Sequence, residues 1–172
     1  LGSAYVAGFR YALKGGYERV VTMDADFSHD PSYVPDLIAL TADRDVAIGS
    51  RYVSGGGTRN WGRRRRLMSR LANWFARVLL GLPARDCTAG FRCYRREAIE
   101  RLPMEGMFSR GYGCLVEILY RLVREGCTVG EVPIIFVNRR AGRSKISARE
   151  VLAGVSVLWR LRRSYGKLRR RG

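Results

Sequence analysis

The chain has 172 residues, of which 47% are hydrophobic, so it can form one domain with a buried core and does not have a disordered composition. Its 32 Lys+Arg residues exceed its 15 Asp+Glu residues, and the net charge of +17 predicts an anionic partner: nucleic acid, a membrane surface or a phosphorylated substrate. Four cysteines without a CxxC pair, with a single histidine, argue against a zinc site or a disulfide framework and are typical of reduced cytosolic thiols. No apolar run approaches the roughly 18 residues of a transmembrane helix.

Helix and strand patterns alternate in the first third of the chain. Apolar residues at helical spacing predict a helix from Ser3 to about Lys14, which Gly15 and Gly16 end. The run "ERVVTMDAD" predicts a short buried strand, "SHDPSYVPDLIALT" a turn and a helix, and "DVAIGSRY" a second strand. This succession of strand, helix and strand indicates an α/β fold with a parallel sheet and crossover connections.

The alternation continues after the glycine-rich loop "VSGGGTRNWG". A helix is predicted from Arg63 to Leu80, and another from Gly113 to Glu125. The residues at core spacing in these helices are Leu67, Leu71, Phe75, Val78 and Leu79, then Leu115, Ile118, Leu119 and Leu122. Between them "GLPARDCTAGFRCYRREAIERL" predicts a loop, a short strand and a helix start. After them come one strand, "TVGEVPIIFVNR", a polar loop, "RAGRSKIS", and an apolar helix that ends as a basic tail.

Asp24 and Asp26 follow the first strand and are separated only by Ala25. The carboxyl edge of an open α/β sheet is where ligands bind, and an extended backbone would point both side chains the same way. Two carboxylates this close repel each other unless a cation lies near them. A hard divalent cation prefers such oxygen ligands and is usually shared with phosphates, so the pair predicts a metal–diphosphate site. The alternative is a solvated turn that Asp30 and Pro31 continue.

Several segments, in this order, resemble the polyprenyl-phosphate mannosyltransferases, the dolichol-phosphate mannose synthase group of glycosyltransferase family 2. They are "GSAYVAGFRYAL", "GYERVVTMDADFSHDP", "AIGSRYVSGGG", "SRLANWFARVLLGL", "DCTAGFRCYRREAIE" and "VPIIFVNRRAGRSKIS". The resemblance extends from Gly2 to about Ser147. It implies a GT-A fold, with a Rossmann-like, mostly parallel sheet flanked by helices. It also implies inverting transfer of mannose from GDP-mannose to a polyprenyl phosphate, with Mg²⁺ or Mn²⁺ as cofactor.

The resemblance also assigns site residues. Asp24 and Asp26 match the catalytic D-x-D that binds the metal and the donor, and Ser28 is a further candidate ligand where the family often has Gln. The residues that match acceptor-phosphate contacts are Arg51 of "GSRY", Arg65 and Ser69 of an R-x-x-x-S element, and Arg139 and Lys145 of an R-x-x-G-x-S-K loop. Arg51 and Arg139 are also expected to take part in catalysis.

Four other positions leave their roles open. Asp86 in "DCTAGFR" orients the site or caps a turn, and Gly90 allows close backbone approach. Glu117 matches an acidic family position, but a surface or helix-capping role explains it equally well. His29 is interpreted as a turn residue rather than a ligand.

The family's first strands, its nucleobase pocket and another acidic residue have no counterpart in this sequence. Residues 1–150 therefore correspond to the C-terminal two-thirds of a GT-A domain, and the activity of this truncated chain alone is open. Residues 151–172 form an amphipathic helix and a basic tail, which predicts peripheral binding to the cytosolic face of a membrane. The alternative is an ordinary docking helix with a frayed tail. A membrane-anchoring partner protein or domain is a further candidate.

The chemistry of transfer to a lipid phosphate explains why the sequence shows no Ser/His/Asp or Cys/His catalytic set. A lipid phosphate is already anionic at neutral pH, so its oxygen attacks the sugar without a strong general base. Alternatives are glucosyl transfer from UDP-glucose and an inactive remnant that binds lipid phosphate. Nucleic acid is not expected as a partner, because Trp61, Trp74 and Trp159 are scattered rather than interleaved with basic patches.

Overall fold

The computed structural model of the chain describes residues 2–109, 111, 113–138 and 148–166. The helices within these residues are α1 (Gly2–Lys14), α2 (Val34–Leu40), α3 (Arg63–Leu80), α4 (Arg96–Arg101), α5 (Gly113–Arg124) and α6 (Ala148–Tyr165). The strands are β1 (Arg19–Thr22), β2 (Val46–Ser50), β3 (Gly57–Arg59), β4 (Arg92–Arg95), β5 (Val129–Pro133) and β6 (Ile135–Val137). A 3-10 turn, Pro31–Tyr33, leads into α2.

The main sheet has the strand order β1-β4-β2-β5. β4 is antiparallel to both of its neighbours, and β2 and β5 are parallel, so three of the four strands run in one direction. The predicted α/β fold is confirmed, with the qualification that β4 lies between β1 and β2 and makes the sheet mixed. The connection through α2 therefore joins two strands that are parallel but not adjacent.

A second, two-stranded sheet was not predicted. It pairs β3 with β6 in parallel, from Gly57↔Ile135 to Arg59↔Val137. Ile134 connects the two sheets, because its N–H donates to the carbonyl of Ser50 and its carbonyl accepts from the N–H of Gly57. The single predicted strand "TVGEVPIIFVNR" is thus two strands, and the glycine-rich loop contains β3, which at three residues is too short to show periodicity.

The core is built around α5, whose predicted apolar positions Leu115, Ile118, Leu119 and Leu122 are all buried. Phe9 of α1 packs against Tyr94 of β4 with ring centroids 5.0 Å apart. On α6, Leu158 and Leu161 are buried in the same cluster. All four cysteines are free and buried, as reduced thiols would be. No helix among the described residues is long and apolar enough to cross a membrane.

The bounds predicted for α3 are confirmed, but its predicted core face is wrong in part. Leu67, Leu71 and Val78 are exposed, while the buried positions are Asn73, Ala76 and Leu80. The side of α3 that faces the protein carries small and polar residues because it holds a hydrogen-bond network, described below. Helical spacing alone did not reveal which of two faces is buried.

Candidate functional site

Asp24 and Asp26 lie at the carboxyl end of β1, the strand-edge position that the sequence predicts. Asp24 is exposed, with 53% of its side chain accessible. Asp26 belongs to a turn rather than to extended backbone, and its Oδ1 accepts hydrogen bonds from the N–H, at 3.1 Å, and from the hydroxyl of Ser28. Ser28 is buried, and its two hydrogen bonds orient the Asp26 carboxylate. Phe27, between them, has a φ of 62°, which the tight turn imposes.

His29 stabilises this turn through its side chain. Its imidazole is buried and stacks on Phe91 with centroids 4.9 Å apart. Nδ1 accepts the backbone N–H of Asp24 at 3.0 Å, which requires the neutral ring. Burial lowers the pKa of His29 from its ordinary value, and nearby Asp24 opposes that shift. These contacts support the interpretation of His29 as a turn residue.

Arg51, at the end of β2, forms a bidentate ion pair with Asp86. Its Nε and Nη2 lie 2.7 Å from the two carboxylate oxygens, and Nη2 also donates to Thr88 Oγ1 at 2.9 Å. The side chains of Arg51 and Asp86 are 9% and 0% exposed. Asp86 raises the pKa of Arg51, against the opposing effect of burial. Since Nε and Nη2 are used here, an incoming anion would have to bind Nη1.

Asp86 is in turn fixed by the main sheet and by its own loop. The carboxylate of Glu131 on β5 accepts the N–H groups of Arg85 and Asp86 at 2.8 and 2.9 Å. Arg92, which is fully buried, donates to the carbonyls of Cys87, Ala89 and Leu115. The loop that presents Asp86 is thus held from both sides, which favours the orienting role over the turn cap.

A hydrogen-bond network joins Arg51 to α3. Thr88 receives a hydrogen bond from Asn73 Nδ2 at 3.1 Å and its N–H donates to Asn73 Oδ1 at 3.2 Å. Asn73 also donates to the carbonyl of Ser69, and Ser69 Oγ lies 2.6 Å from the hydroxyl of Tyr52. The network explains why Ser69 and Asn73 lie on the buried side of α3.

Two aromatic side chains connect the carboxylate side of the site to its cationic side. Trp61 contacts two guanidinium groups, with the Cζ atoms of Arg65 and Arg51 4.0 and 5.5 Å from its ring centroid. The Phe136 ring of β6 contacts Trp61 at 5.5 Å and His29 at 5.2 Å. Arg51 Cζ lies 5.6 Å from the same Phe136 ring. Asp24, Arg51 and Arg65 are therefore parts of one site.

A groove opens beside Arg51, between the loop after β2 and α3. It consists of two adjoining cavities of about 180 and 370 Å³, which share Arg51, Tyr52 and Arg70 in their walls. Arginines line it along its length, and they are Arg51, Arg66, Arg70, Arg77 and Arg85. Guanidinium groups bind phosphate through paired N–H donors, so the groove is suited to a phosphorylated ligand.

The structure thus brings together six of the predicted site residues: Asp24, Asp26, Ser28, Arg51, Arg65 and Ser69. Arg139 and Lys145 lie outside the described residues. Of the roles left open for Glu117, the surface role is wrong, because the residue is fully buried and accepts from Arg121 at 2.7 Å and from the N–H of Ser109 at 2.8 Å. The sequence did not identify Trp61, Tyr52, Asn73 or Thr88.

The donor set at Asp24 and Asp26 fits a hard divalent cation, because both side chains offer carboxylate oxygens. Gly90 leaves space beside Asp24, since a Cβ at this position would lie 3.5 Å from Asp24 Oδ1. Within the described ranges no group of three or more His, Cys, Asp or Glu residues converges. A site with two carboxylates therefore suits an ion that is shared with a phosphorylated ligand.

The chain is similar in sequence to known glycosyltransferases. The model of a family described as "Glycosyl transferase family 2" matches residues 1–103. A polyprenol monophosphomannose synthase of Mycolicibacterium smegmatis is 45% identical over 152 residues, which is 88% of this chain and 57% of that protein. An undecaprenyl-phosphate mannosyltransferase of Micrococcus luteus is 43% identical over 147 residues, 86% of this chain and 60% of that protein. The chain thus spans less than two thirds of the length of these relatives.

Solved structures share the fold. Glucosyl-3-phosphoglycerate synthase from Mycobacterium tuberculosis, in complex with Mn²⁺, UDP-glucose and glycerol 3-phosphate, superposes with a TM-score of 0.61 at 21% identity. The match covers 98% of this chain and 56% of that one. The same enzyme without glycerol 3-phosphate gives a TM-score of 0.60. These likenesses show the GT-A architecture, and together with the sequence matches they establish that the chain belongs to glycosyltransferase family 2.

Proposed function

We propose that the protein transfers mannose from GDP-mannose to a polyprenyl phosphate, with inversion at the sugar carbon. One observation carries the proposal: aromatic rings connect a pair of carboxylates to a pair of guanidinium groups. Phe136 packs against Arg51, against Trp61, which lies under Arg65, and against His29, whose Nδ1 accepts the N–H of Asp24. The first pair suits a metal-bound diphosphate, and the second suits the phosphate of an acceptor. The names of the two sequence relatives support mannose and a polyprenyl phosphate as the transferred group and its acceptor.

Each guanidinium is held in place before a ligand arrives. Arg51 is fixed by Asp86 and Thr88, and Arg65 donates to Asn138 Oδ1 at 2.9 Å while it lies over Trp61. Donors that are already oriented lose little entropy when the anion binds, and they do not reorganise as the reaction proceeds. Arg51 and Arg65 would thus hold the acceptor phosphate behind the sugar carbon.

The transfer forms a bond between an acceptor phosphate oxygen and the anomeric carbon, and breaks the bond from that carbon to the nucleoside diphosphate. The acceptor oxygen is anionic at neutral pH, so no side chain has to remove a proton. This agrees with His29, whose Nδ1 is already used by the N–H of Asp24. Asp24 and Asp26 would hold Mg²⁺ or Mn²⁺, which supplies positive charge to the departing diphosphate.

The test is a transfer assay with vesicles that contain a polyprenyl phosphate, with radiolabelled GDP-mannose or UDP-glucose as donor and Mg²⁺ or Mn²⁺ added. We expect label to enter the lipid from GDP-mannose, and chelation of the metal to stop it. Asp24→Asn should lower the rate at least about 100-fold, as loss of a charge-stabilising ligand does. Asp43→Asn, the same change at an exposed aspartate, is the control. A preference for UDP-glucose, or full activity of Asp24→Asn, would contradict the proposal.

A further inference from the structure

Gly90 lies at a point of the fold where a side chain would fit. Its φ is outside the left-handed region that favours glycine. Apart from its chain neighbours, the atoms nearest to a Cβ at this position would be Asp24 Oδ1 at 3.5 Å, the Tyr5 hydroxyl at 3.7 Å and Leu115 Cδ1 at 3.9 Å. These are ordinary contact distances, so a methyl group would fit without a clash. Neither the backbone nor the packing therefore explains the missing side chain.

Two other glycines show what a packing reason looks like. A Cβ at Gly56 would lie 2.5 Å from the carbonyl oxygen of Ser50, and one at Gly130 would lie 2.8 Å from Leu40 Cδ2. Gly90 instead leaves room beside two polar atoms, a carboxylate oxygen and a phenol hydroxyl. A glycine in such a setting is typical of a place where a ligand closely approaches the backbone.

The space above Gly90 is open to a ligand. Gly90 is partly exposed, and 53% of the Asp24 side chain is accessible. The two oxygens of Asp24 face different groups, since Oδ2 lies 3.9 Å from His29 Nδ1 and Oδ1 faces Gly90. A ligand in this space would therefore contact the Asp24 carboxylate on its Oδ1 side.

Tyr5 of α1 supplies the second polar atom of the space. Burial raises the pKa of Tyr5 to about 12, so its hydroxyl is neutral at pH 7. The nearby hydroxyl of Thr22 donates its only proton to the carbonyl of Gly90 at 2.8 Å, so that proton is not available to Tyr5. The Tyr5 oxygen can thus accept a hydrogen bond from a ligand. A sugar hydroxyl donates such a bond, whereas an ionised phosphate has no proton to donate.

One loop connects this space to the guanidinium side of the site. Thr88 Oγ1 accepts from Arg51 Nη2 at 2.9 Å, and Gly90, two residues further along the same loop, faces Asp24. The loop thus runs from the proposed acceptor phosphate to the proposed metal–diphosphate. A sugar positioned between the two would lie over this loop.

We propose that Gly90 forms the floor and Tyr5 one wall of the subsite that binds the sugar of the nucleotide-sugar donor. The sugar ring packs on the bare backbone of Gly90, and one of its hydroxyl groups donates to the oxygen of Tyr5. The diphosphate then lies beside Asp24, and the reacting carbon is directed towards Arg51. This inference rests on the proposed function, because that function supplies the donor.

The charges around the space favour the sugar over the diphosphate. A carboxylate oxygen and a phenol oxygen enclose the space, and neither of them neutralises a phosphate. A hexose presents hydroxyl groups that donate to both oxygens. The methyl group of Leu115 offers an apolar contact to the C–H groups of the ring.

The first test compares the affinities of the 172-residue chain for GDP-mannose and for GDP, by isothermal titration calorimetry with Mn²⁺ present. Tyr5→Phe should weaken GDP-mannose binding about 2–10-fold, as loss of one hydrogen bond does, and leave GDP binding unchanged. Gly90→Ala should weaken GDP-mannose binding about tenfold or more, because the methyl group occupies the place of the sugar. Equal weakening for both ligands, or no weakening for either, would overturn the proposal.

Matched substitutions outside the space are the controls. Tyr11→Phe removes a hydroxyl from an α1 side chain that is 72% exposed, and Gly8→Ala adds a methyl group at an open position of the same helix. Both should bind GDP-mannose like the parent. Gly90→Ala should melt like the parent in circular dichroism, because its methyl group meets only ordinary contacts. A Gly90→Ala variant that fails to fold would show that packing requires the glycine, and would overturn the proposal.

The second test identifies the sugar hydroxyl that contacts Tyr5. A series of GDP-deoxymannoses, each lacking one hydroxyl group, is titrated into the parent and into Tyr5→Phe. For one analogue the two proteins should bind equally, because the hydrogen bond is absent from both complexes. If Tyr5→Phe weakens every analogue by the same factor, Tyr5 contacts no sugar hydroxyl and the proposal is wrong.

A transfer assay separates this proposal from the proposed function. With a short isoprenyl phosphate as acceptor, Tyr5→Phe and Gly90→Ala should raise the KM for GDP-mannose and leave the KM for the acceptor unchanged. A parent that transfers mannose, with the same donor KM in both variants, would overturn the sugar subsite and leave the transfer reaction standing. A parent that binds GDP-mannose more tightly than both variants but transfers no mannose would support the subsite and contradict the proposed function.

Discussion

Asp86 is the counter-ion of Arg51, and Asp86→Asn tests how strongly the site depends on it. The substitution preserves shape but removes the charge from a carboxyl group that is 0% exposed and that accepts two side-chain hydrogen bonds from Arg51. Removal of one partner of a buried pair costs about 3–5 kcal/mol, since the other charge stays buried without compensation. For a domain of this size, each kcal/mol lowers the melting temperature by about 2–4 °C.

We therefore expect Asp86→Asn to lower the melting temperature by roughly 6–20 °C, measured by circular dichroism or calorimetry. Asp43→Asn, at an exposed aspartate, is the control and should melt like the parent. Arg51→Met/Asp86→Leu should be more stable than Asp86→Asn, because an apolar pair leaves no buried charge. An unchanged melting temperature in Asp86→Asn would refute the reasoning.

Three further predictions concern the loop of Asp86 and the network behind it. Arg92→Met should lower the melting temperature by several degrees, because three carbonyls lose the one guanidinium that donates to all of them. Arg92→Lys should not restore it, since an ammonium group lacks the branched geometry. Thermal melts test this, and an Arg92→Lys variant as stable as the parent would contradict it. Ser69→Ala should raise the KM for the acceptor about 3–10-fold with little change in kcat, because the hydroxyl of Tyr52 loses its hydrogen-bond partner. Steady-state kinetics on short isoprenyl phosphates test this, and an unchanged KM would count against it. Burial raises the pKa of all four cysteine thiols, that of Cys87 to about 12. At pH 8 none of them should therefore react with an aromatic disulfide reagent until urea unfolds the chain, and rapid release of the thiolate chromophore from the native protein would be inconsistent with the fold.

Much of the fold was predictable from the sequence, because long periodic segments carry their own signal. The bounds of α3, Arg63–Leu80, agree with the prediction, and α5 has its apolar positions in the core. Short strands were not predictable in this way. The three-residue strands β3 and β6 exist because Ile134 hydrogen-bonds to both sheets, and such a tertiary contact leaves no local pattern.

Site residues were predictable from the sequence where they belong to a recognisable motif, but not where only their position in the folded chain brings them to the site. Asp24 and Asp26 were predicted from their position after a strand as well as from the resemblance to the family, and Arg51, Arg65 and Ser69 from the resemblance alone. Trp61, which lies against two guanidinium groups, has no motif of its own, so only the structure reveals it. The prediction of the core face of α3 was wrong in part for the same reason, since tertiary packing decides which face is buried. Spacing reveals that Leu67 and Leu71 share a line, but not whether that line meets the core or the solvent.

The central claim is that a metal at Asp24 and Asp26 faces an acceptor phosphate at Arg51 and Arg65. Paramagnetic relaxation of the ³¹P signal of a short isoprenyl phosphate by bound Mn²⁺ measures this arrangement directly. The account predicts strong broadening of the phosphorus line with the parent protein. It predicts loss of the broadening in Asp24→Asn, which lacks the metal site, and in Arg51→Met, which lacks the phosphate contact. A phosphorus line that stays sharp while Mn²⁺ and the phosphate are both bound would contradict it.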